Sequence, residues 1–393
     1  MVSLKVWVLT FSDFLKMPKQ NWLKKGTWRQ ISYQRLRRSP EVLAAVFSRT
    51  LRVCLTYKCN LDCRYCYAKG MKNDFPKDMS PKEFLELINW MKEKGWRCVR
   101  FLGGEPTFHP QFSEILDICY RNKVFFSIST NNTFPLHIGL KLDKQWLMYV
   151  TVHYVYDTLD NKRKAIFKDN LRQLSQRNIP FEISYIIGYH DNNWLEIFEM
   201  AKLYKPVVIR VSIEVPGLAK QMSSSGLVDN FRLIAKRIFD FQKNCLKQNI
   251  PFYILRPLAS CMFFPKEWEN LKGTFPFVCY TRCPLGAMGD YSQAVVVNPD
   301  LSVFPCIAVF LKGPNIFNFK DKKEISDFYK TRIKQMLSEP FMELCKSCEK
   351  HNKFVCSLEK GANSDLKSTY DEGICQAGCL SFNKSSQMLC CIE

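Results

Sequence analysis

The chain has 393 residues, of which 47% are hydrophobic and 24% are charged, and its formal net charge is +20 at pH 7. This length allows two domains, and the balance of residue types excludes a disordered or fibrous protein. No apolar run reaches the roughly 18 residues of a membrane-spanning helix, and the apolar residues 6–11 are too few for a signal peptide. We therefore expect a soluble, cytoplasmic protein.

Residues 1–49 form a basic N-terminal segment without a clear structural period. Residues 1–50 include ten basic and two acidic side chains, and such a surplus attracts polyanions or acidic peptides over long distances. The segment would suit an acidic leader peptide, although an ordinary solvated cap on the next domain explains the same charge. We find no stripe of basic residues interleaved with stacking aromatic residues, so nucleic acid is not indicated as a partner.

Residues 50–256 alternate between short β-rich runs and amphipathic helical stretches, which is typical of βα units on a parallel sheet. The predicted strands are 51–55, 98–102, 124–130, 147–152, 181–187 and 207–212. The first predicted helix begins with a capping box of Ser80 and Glu83, and others follow at 111–121, 162–177, 193–204 and 228–248. Six units are too few for a closed eight-stranded barrel. We expect an α/β fold with an open, partial (β/α)6 TIM-like barrel and functional groups on the loops after its strands.

Residues 257–393 differ from the barrel, because helical periodicity fades and eleven of the eighteen cysteines lie there. Disulfides are rare in cytosolic proteins, so these cysteines predict a C-terminal cysteine-rich domain that binds metal or iron–sulfur clusters. Four other cysteines stand singly in apolar stretches, and we expect them to be buried as small hydrophobic side chains. They are Cys54, Cys98, Cys119 and Cys245.

Three further cysteines follow the first predicted strand on one loop: Cys59, Cys63 and Cys66. Three thiolates can bind three irons of a cubane and leave the fourth iron open to another ligand. Zinc would normally need a fourth protein ligand nearby, and no Cys or His follows until Cys98. The spacing, with Tyr65 before the last cysteine, resembles the fingerprint of the radical S-adenosylmethionine (SAM) superfamily.

This resemblance implies a [4Fe–4S] cluster whose open iron is chelated by the amine and carboxylate of SAM. An electron from a flavodoxin- or ferredoxin-type donor then cleaves SAM to a 5′-deoxyadenosyl radical, which abstracts hydrogen from a substrate. The stretch "FLGGEPTFHP" (101–110) resembles the family's SAM-binding motif. Gly103 and Gly104 would let the backbone approach the ligand, Glu105 would accept a hydrogen bond from the ammonium, and Pro106 completes the motif. A simple βα turn is the alternative for this stretch taken alone.

Weaker matches lie on the next two predicted strands and at the start of the helix that follows them. Thr130 and Thr151 are implied contacts to the ribose of SAM, although Asn132 stands where relatives often carry glycine. Arg163 is implied to reach the SAM carboxylate, and a solvated helix start is the alternative. We expect His153 to be a satisfied polar group rather than a catalyst.

The order of the C-terminal cysteines resembles the SPASM extension of radical SAM enzymes, in which a β-hairpin ending at a cysteine leads to a helix and a Cys-x-x-Cys pair. Leu301 stands where relatives carry the hairpin glycine, so we expect a different turn. One or two auxiliary [4Fe–4S] clusters are implied, and zinc at the Cys-x-x-Cys pair is the alternative. The resemblance assigns Cys279, Cys283, Cys306 and Cys379 to one cluster and Cys345, Cys348, Cys375 and Cys390 or Cys391 to the other, with Cys356 left over or exchanging with Cys375.

Enzymes of this architecture most often modify peptides or proteins by thioether formation, carbon–carbon crosslinking or epimerisation, so a peptide or protein is the expected substrate. Ile307 follows Cys306 where sulfatase-maturing relatives usually have Asp, which disfavours oxidation of a sulfatase Cys or Ser without excluding it. Radical dehydrogenation or epimerisation of a sugar or aminoglycoside is a further alternative. The non-enzymatic alternative is an iron–sulfur scaffold that binds polyanions through its net charge.

Overall fold

The computed structural model describes residues 50–63, 66, 68, 71–188, 194–213, 224–254, 263–264, 266–267, 295–306 and 311–338. The basic segment 1–49, Tyr65 and the predicted ligands at positions 279, 283, 345, 348, 375, 379 and 390 lie outside these residues. Every helix in the described ranges is too short or too polar to cross a bilayer.

The described strands form one sheet that is parallel over its main part. In chain order they are β1 (Thr50–Thr56), β2 (Cys98–Gly103), β3 (Phe125–Thr130), β4 (Leu147–His153), β5 (Phe181–Ile187), β6 (Val208–Ile213), β7 (Phe252–Ile254), β8 (Val296–Val297) and β9 (Val303–Phe304). Across the sheet the order is β7-β6-β5-β4-β3-β2-β1-β8-β9. The six predicted strands are thus neighbours in chain order, and the predicted α/β fold with an open parallel sheet is confirmed.

Helices connect the strands. They are α1 (Met71–Asp74), α2 (Pro81–Glu93), α3 (Phe112–Arg121), α4 (Leu136–Lys141), α5 (Asn161–Gln176), α6 (Leu195–Tyr204), α7 (Ser224–Lys247) and α8 (Lys322–Ser338), with short 3₁₀ turns at Pro106–Phe108, Tyr156–Thr158 and Ile316–Asn318. The predicted capping box of α2 is present: the Ser80 side chain accepts from the backbone N–H of Glu83, and the Glu83 carboxylate accepts from that of Ser80. This box fixes the point at which the chain turns back after the loop that follows β1.

The two edges of the sheet add to the predicted units. At one edge, β7 is a seventh parallel strand, and its three residues are too few to show a period in the sequence. At the other edge, the antiparallel hairpin β8–β9 pairs with β1. Leu301 in its turn takes a left-handed conformation with φ 63°, the region that glycine favours. The chain therefore makes this turn without glycine and buries the Leu301 side chain in the core.

The two faces of the parallel strands differ in chemistry, because successive side chains point to opposite sides of a sheet. One face is apolar and packs against the helices. The ring of Phe101 on β2 lies 5.6 Å from that of Phe84 on α2 and 5.7 Å from that of Phe112 on α3. The opposite side chains of β2 to β6 form a buried polar row, consisting of Arg100, Ser129, Thr151, Glu182 and Arg210.

Hydrogen bonds and one ion pair join the buried polar row across five strands. Arg100 donates to the hydroxyls of Ser129 and Thr151, and Thr151 donates to Glu182 at 2.8 Å. Nη1 of Arg210 lies 3.7 Å from Oε1 of Glu182, and both side chains are at most 1% exposed. Because these charges are buried away from water, each needs its partners in the row to offset the cost of desolvation.

We predict that replacing Glu182 by alanine lowers the free energy of unfolding by about 3–5 kcal/mol, because the buried charge of Arg210 loses its anionic partner. Urea unfolding followed by circular dichroism measures the change. Asp327→Ala is the matched control, since Asp327 pairs with Lys323 at the surface and its removal should leave the midpoint unchanged. Equal midpoints for the two variants would contradict the assigned role of Glu182.

Candidate functional site

The three-cysteine loop (residues 57–66) leaves the C-terminal end of β1. Cys59 is exposed, whereas Cys63 and Cys66 are partly buried, and the N–H of Cys66 donates to the carbonyl of Cys63 at 3.1 Å. The loop therefore lies at the C-terminal ends of the parallel strands, where α/β proteins of this kind place their functional groups.

The four single cysteines are buried, unlike those of the three-cysteine loop. Cys54, Cys98, Cys119 and Cys245 are at most 7% exposed, as predicted for small core side chains. Burial raises the pKa of the Cys119 and Cys245 thiols, so they are neutral and apolar. Among the described cysteines, those of the three-cysteine loop are the ones that solvent reaches, and Cys306, which follows the hairpin, is buried.

Two glycines at the end of β2 bring this strand against the three-cysteine loop. The N–H of Gly104 donates to the carbonyl of Thr56 at 2.8 Å, and the N–H of Glu105 donates to that of Lys58 at 2.9 Å. A Cβ at Gly104 would overlap the Lys58 carbonyl oxygen, and one at Gly103, whose φ is 134°, would overlap that of Thr56. The glycines thus permit close approach between two backbone segments, whereas the sequence suggested close approach to a ligand.

Glu105 presents a buried carboxylate that four donors hold in place. Its Oε1 accepts from the N–H of Thr107 at 3.1 Å, the Thr107 hydroxyl at 2.5 Å and the Thr130 hydroxyl at 2.9 Å, and Oε2 accepts from the N–H of Asn131 at 2.7 Å. Burial raises the pKa of Glu105 above its ordinary value, and these donors oppose the rise. Within the described residues, Oε2 has a single donor, so it keeps a position for a cationic partner.

Thr130 is directed at Glu105. It donates its hydroxyl hydrogen to that carboxylate, and its oxygen accepts from the N–H of Asn132 at 3.0 Å. Asn132 itself has φ 61°, which lies in the left-handed region that glycine favours. Contact with a ribose would therefore require the ribose hydroxyl to donate to Thr130.

Two other predicted SAM contacts lie apart from this group. Thr151 is fully buried in the polar row and donates to Glu182. Arg163 lies in the first turn of α5, its guanidinium 3.5 Å from the carboxylate of Asp160 and 42% exposed. Among the hydrogen bonds of the described residues, none joins Thr151 or Arg163 to Glu105 or to the three-cysteine loop. The structure thus brings together the loop, Glu105 and Thr130.

Two asparagines that the sequence did not single out connect the halves of the site. Nδ2 of Asn131 donates to Oδ1 of Asn60 at 2.8 Å and lies 4.0 Å from Sγ of Cys59. The backbone N–H of the same residue donates to Glu105. Its place directly after Thr130, at the end of a predicted strand, is the signal that identifies it in the sequence.

Asp78 fixes the start of the three-cysteine loop. Its Oδ1 accepts from the hydroxyl of Thr56 at 2.6 Å, and Nζ of Lys58 lies 2.8 Å from its Oδ2. Partial burial opposes ionisation, but the hydrogen bonds from Lys58 and Thr56 hold the pKa of Asp78 below its ordinary value. No motif points to this residue, because it follows the loop in a stretch without periodicity.

The donors of the three-cysteine loop suit a [4Fe–4S] cluster with three protein ligands. Cys59 is exposed to solvent, but partial burial by the surrounding polypeptide raises the pKa of its thiol to about 11. The backbone N–H of Leu61, which lies 3.4 Å from Sγ, opposes this rise. Binding iron therefore displaces a proton from this thiol. In the described part of the chain, no three Cys, His or acidic side chains stand close enough to enclose a metal ion.

Part of the chain is similar to a known protein family. Residues 53–217 match the model of the radical SAM superfamily. This part of the chain is therefore similar to radical SAM proteins. The match begins within β1 and ends after β6, so it includes most of β1 and all of β2 to β6.

The chain is similar to proteins named probable GTP 3′,8-cyclase from Pyrococcus abyssi, at 25% identity over 192 residues, and GTP 3′,8-cyclase from Aquifex aeolicus, at 24% over 323 residues. The first match covers 46% of this chain and 61% of the relative; the second covers 76% and 96%. The chain thus spans about three fifths of the length of the Pyrococcus relative.

Two solved structures share the fold. SuiB from Streptococcus suis, bound to SAM, has a TM-score of 0.52 at 15% identity, covering 79% of this chain and 72% of SuiB. The structure of anSMEcpe with bound AdoMet also has a TM-score of 0.52, at 16% identity, covering 86% of this chain and 99% of that one.

We predict that Gly104→Ala abolishes cluster binding by the three-cysteine loop, because the added methyl group overlaps backbone that cannot move without shifting the loop. Iron content and visible absorbance after anaerobic reconstitution measure the effect. Gly139→Ala is the matched control, since the new methyl would meet the Gln173 and Phe134 side chains at 3.2 Å and alanine favours the helix. Full cluster uptake by Gly104→Ala would show that the close contact of β2 with the loop is dispensable.

Proposed function

We propose that the chain is a radical SAM enzyme that reductively cleaves SAM to methionine and a 5′-deoxyadenosyl radical, which removes a hydrogen atom from a substrate. The observation that supports this best is the junction of the three-cysteine loop with the buried Glu105 carboxylate, at the C-terminal ends of β1 and β2. A low-potential donor of the flavodoxin or ferredoxin type would supply one electron for each cleavage.

Each part of the junction has a proposed task. Cys59, Cys63 and Cys66 would hold the [4Fe–4S] cluster, which supplies the electron for cleavage when bound. Glu105 would accept a charge-assisted hydrogen bond from the SAM ammonium through Oε2. Thr130 would keep that carboxylate oriented, and the buried setting would limit competition from water.

The other assignments from the resemblance also stay proposals. Tyr65 would line the three-cysteine loop, Thr151 would contact the ribose and Arg163 the SAM carboxylate. We also propose the division into segment 1–49, barrel 50–256 and a SPASM-like auxiliary-cluster domain 257–393. The β8–β9 hairpin, with Cys306 two residues after β9 and α8 further on, follows the order expected of that domain. Iron analysis tests it, since each cubane adds about four irons per chain.

For the substrate we propose a peptide or protein, modified in the cytoplasm. The cysteine order after β9 and the basic segment 1–49, which suits an acidic leader, support this choice. A nucleotide is the second candidate, because the relatives matched by sequence are named GTP 3′,8-cyclases. Sulfatase-type oxidation and sugar or aminoglycoside chemistry are the remaining alternatives.

Anaerobic incubation of the reconstituted protein with dithionite and SAM should yield 5′-deoxyadenosine, detected by liquid chromatography and mass spectrometry. The triple variant Cys59→Ala, Cys63→Ala, Cys66→Ala should lose this product because it lacks the cluster ligands. Cys245→Ala is the control, since this buried thiol in α7 is outside the site and its loss should leave the yield unchanged.

The outcome separates an enzyme from a scaffold. Wild-type protein that holds a cluster but yields no 5′-deoxyadenosine would contradict the proposed activity. Adding GTP or acidic leader-type peptides to the same assay then distinguishes the substrate classes, because the substrate should increase the rate and disappear together with SAM.

We further predict that Glu105→Gln weakens SAM binding to the reconstituted protein about 10- to 150-fold, because a hydrogen bond to a charged group contributes about 1.5–3 kcal/mol. Equilibrium dialysis measures the affinity, and iron content confirms that the cluster is retained. Glu114→Gln, on the outer helix α3, is the matched control and should bind SAM like the wild type. Unchanged affinity in Glu105→Gln would remove Glu105 from the SAM site.

A further inference from the structure

Asn131 lies between the two groups on which SAM cleavage would depend. It directly follows β3, is 7% exposed and belongs to neither the cysteine motif nor the glycine-rich motif. Its backbone N–H donates to Oε2 of Glu105 at 2.7 Å. Its side-chain Nδ2 donates to Oδ1 of Asn60 at 2.8 Å and lies 4.0 Å from Sγ of Cys59. One residue thus contacts the carboxylate and a cluster ligand.

The loop after β3 fixes the orientation of the Asn131 amide. Its Oδ1 accepts from the N–H of Thr133 at 3.0 Å and from the Thr133 hydroxyl at 2.7 Å. The Thr133 hydroxyl in turn accepts from Nδ2 of Asn60 at 2.9 Å. Because the amide oxygen takes two donors on one side, the NH₂ group must face the three-cysteine loop.

An N–H group directed at a cluster-ligating sulfur stabilises the more negative, reduced state of the cluster and so raises its reduction potential. Among the described residues, the backbone N–H groups of Leu61, at 3.4 Å, and of Asn60 are directed at Cys59, as is the Asn131 amide. The two backbone donors are part of the loop itself, whereas the Asn131 amide follows a neighbouring strand and is tied to Glu105. The Asn131 amide is therefore a contact that connects Glu105 to a thiol of the three-cysteine loop.

We propose that Asn131 is a positioning residue that raises the reduction potential of the SAM-binding cluster by directing its amide N–H at Cys59 and holding the three-cysteine loop against Glu105. This inference rests on the proposed function. Beyond that function, it assigns to Asn131 an effect on how easily the low-potential donor reduces the cluster.

The test is a redox titration of the reconstituted 393-residue chain. At each potential, the spin concentration measures how much of the cluster is reduced. Asn131→Asp keeps the oxygen that Thr133 contacts and removes the N–H donor, so its cluster should titrate at a lower potential than that of the wild type. At a fixed potential, the ratio of reduced to oxidised cluster should fall about two- to tenfold. Asn131→Ala removes the donor without adding charge, and it decides the outcome if the Asp variant takes up less iron.

Asn244→Asp is the matched control. It makes the same change of side chain on α7, where Nδ2 of Asn244 donates to the carbonyl of Asp240 in an exposed hydrogen bond, so its midpoint should equal that of the wild type. A wild-type midpoint in both Asn131 variants, or an equal shift in Asn244→Asp, would overturn the inference while leaving the proposed function intact. Wild-type protein with no cluster signal and no 5′-deoxyadenosine would overturn both.

Discussion

The site depends on the close parallel pairing of β1 with β2 and on its continuation past the ends of both strands. After the ladder ends, two further backbone hydrogen bonds, from Gly104 to Thr56 and from Glu105 to Lys58, carry the contact into the three-cysteine loop. Side chains larger than hydrogen at positions 103 and 104 would separate these segments. The loop that supplies the thiols and the segment that supplies the carboxylate are therefore one hydrogen-bonded unit.

A second layer of polar contacts supports this unit from its neighbours. Asp78 holds the first residues of the loop through Thr56 and Lys58, and the residues after β3 hold the Glu105 carboxylate through Thr130 and Asn131. Beneath them, the buried polar row spans β2 to β6. Three successive strands thus position a single carboxylate next to a loop of thiols, and their hydrogen bonds hold both groups in place.

Much of this architecture can be predicted from the sequence, because the strands of the barrel show a clear β pattern and the capping residues of α2 have a local signature. The cysteine spacing and the glycine-rich motif also predict that the two segments lie at the C-terminal ends of β1 and β2, where the structure brings them together. The sequence does not show why the glycines are needed, since the overlap at Gly104 involves the carbonyl of Lys58, a residue distant in the chain. Thr130 and Thr151 have similar positions at strand ends in the sequence, yet one contacts Glu105 and the other Glu182. Such pairings depend on register and side-chain direction, which periodicity does not encode.

The central claim is that the SAM amine binds the cluster held by the three-cysteine loop, within reach of Glu105. Electron–nuclear double resonance of the reduced cluster with SAM labelled with ¹⁵N at the amino group tests it most directly. We predict a nitrogen coupling to the cluster spin that disappears when SAM is omitted. A reduced cluster whose spectrum shows no coupling to the labelled amine, under conditions where SAM is bound, would contradict the account.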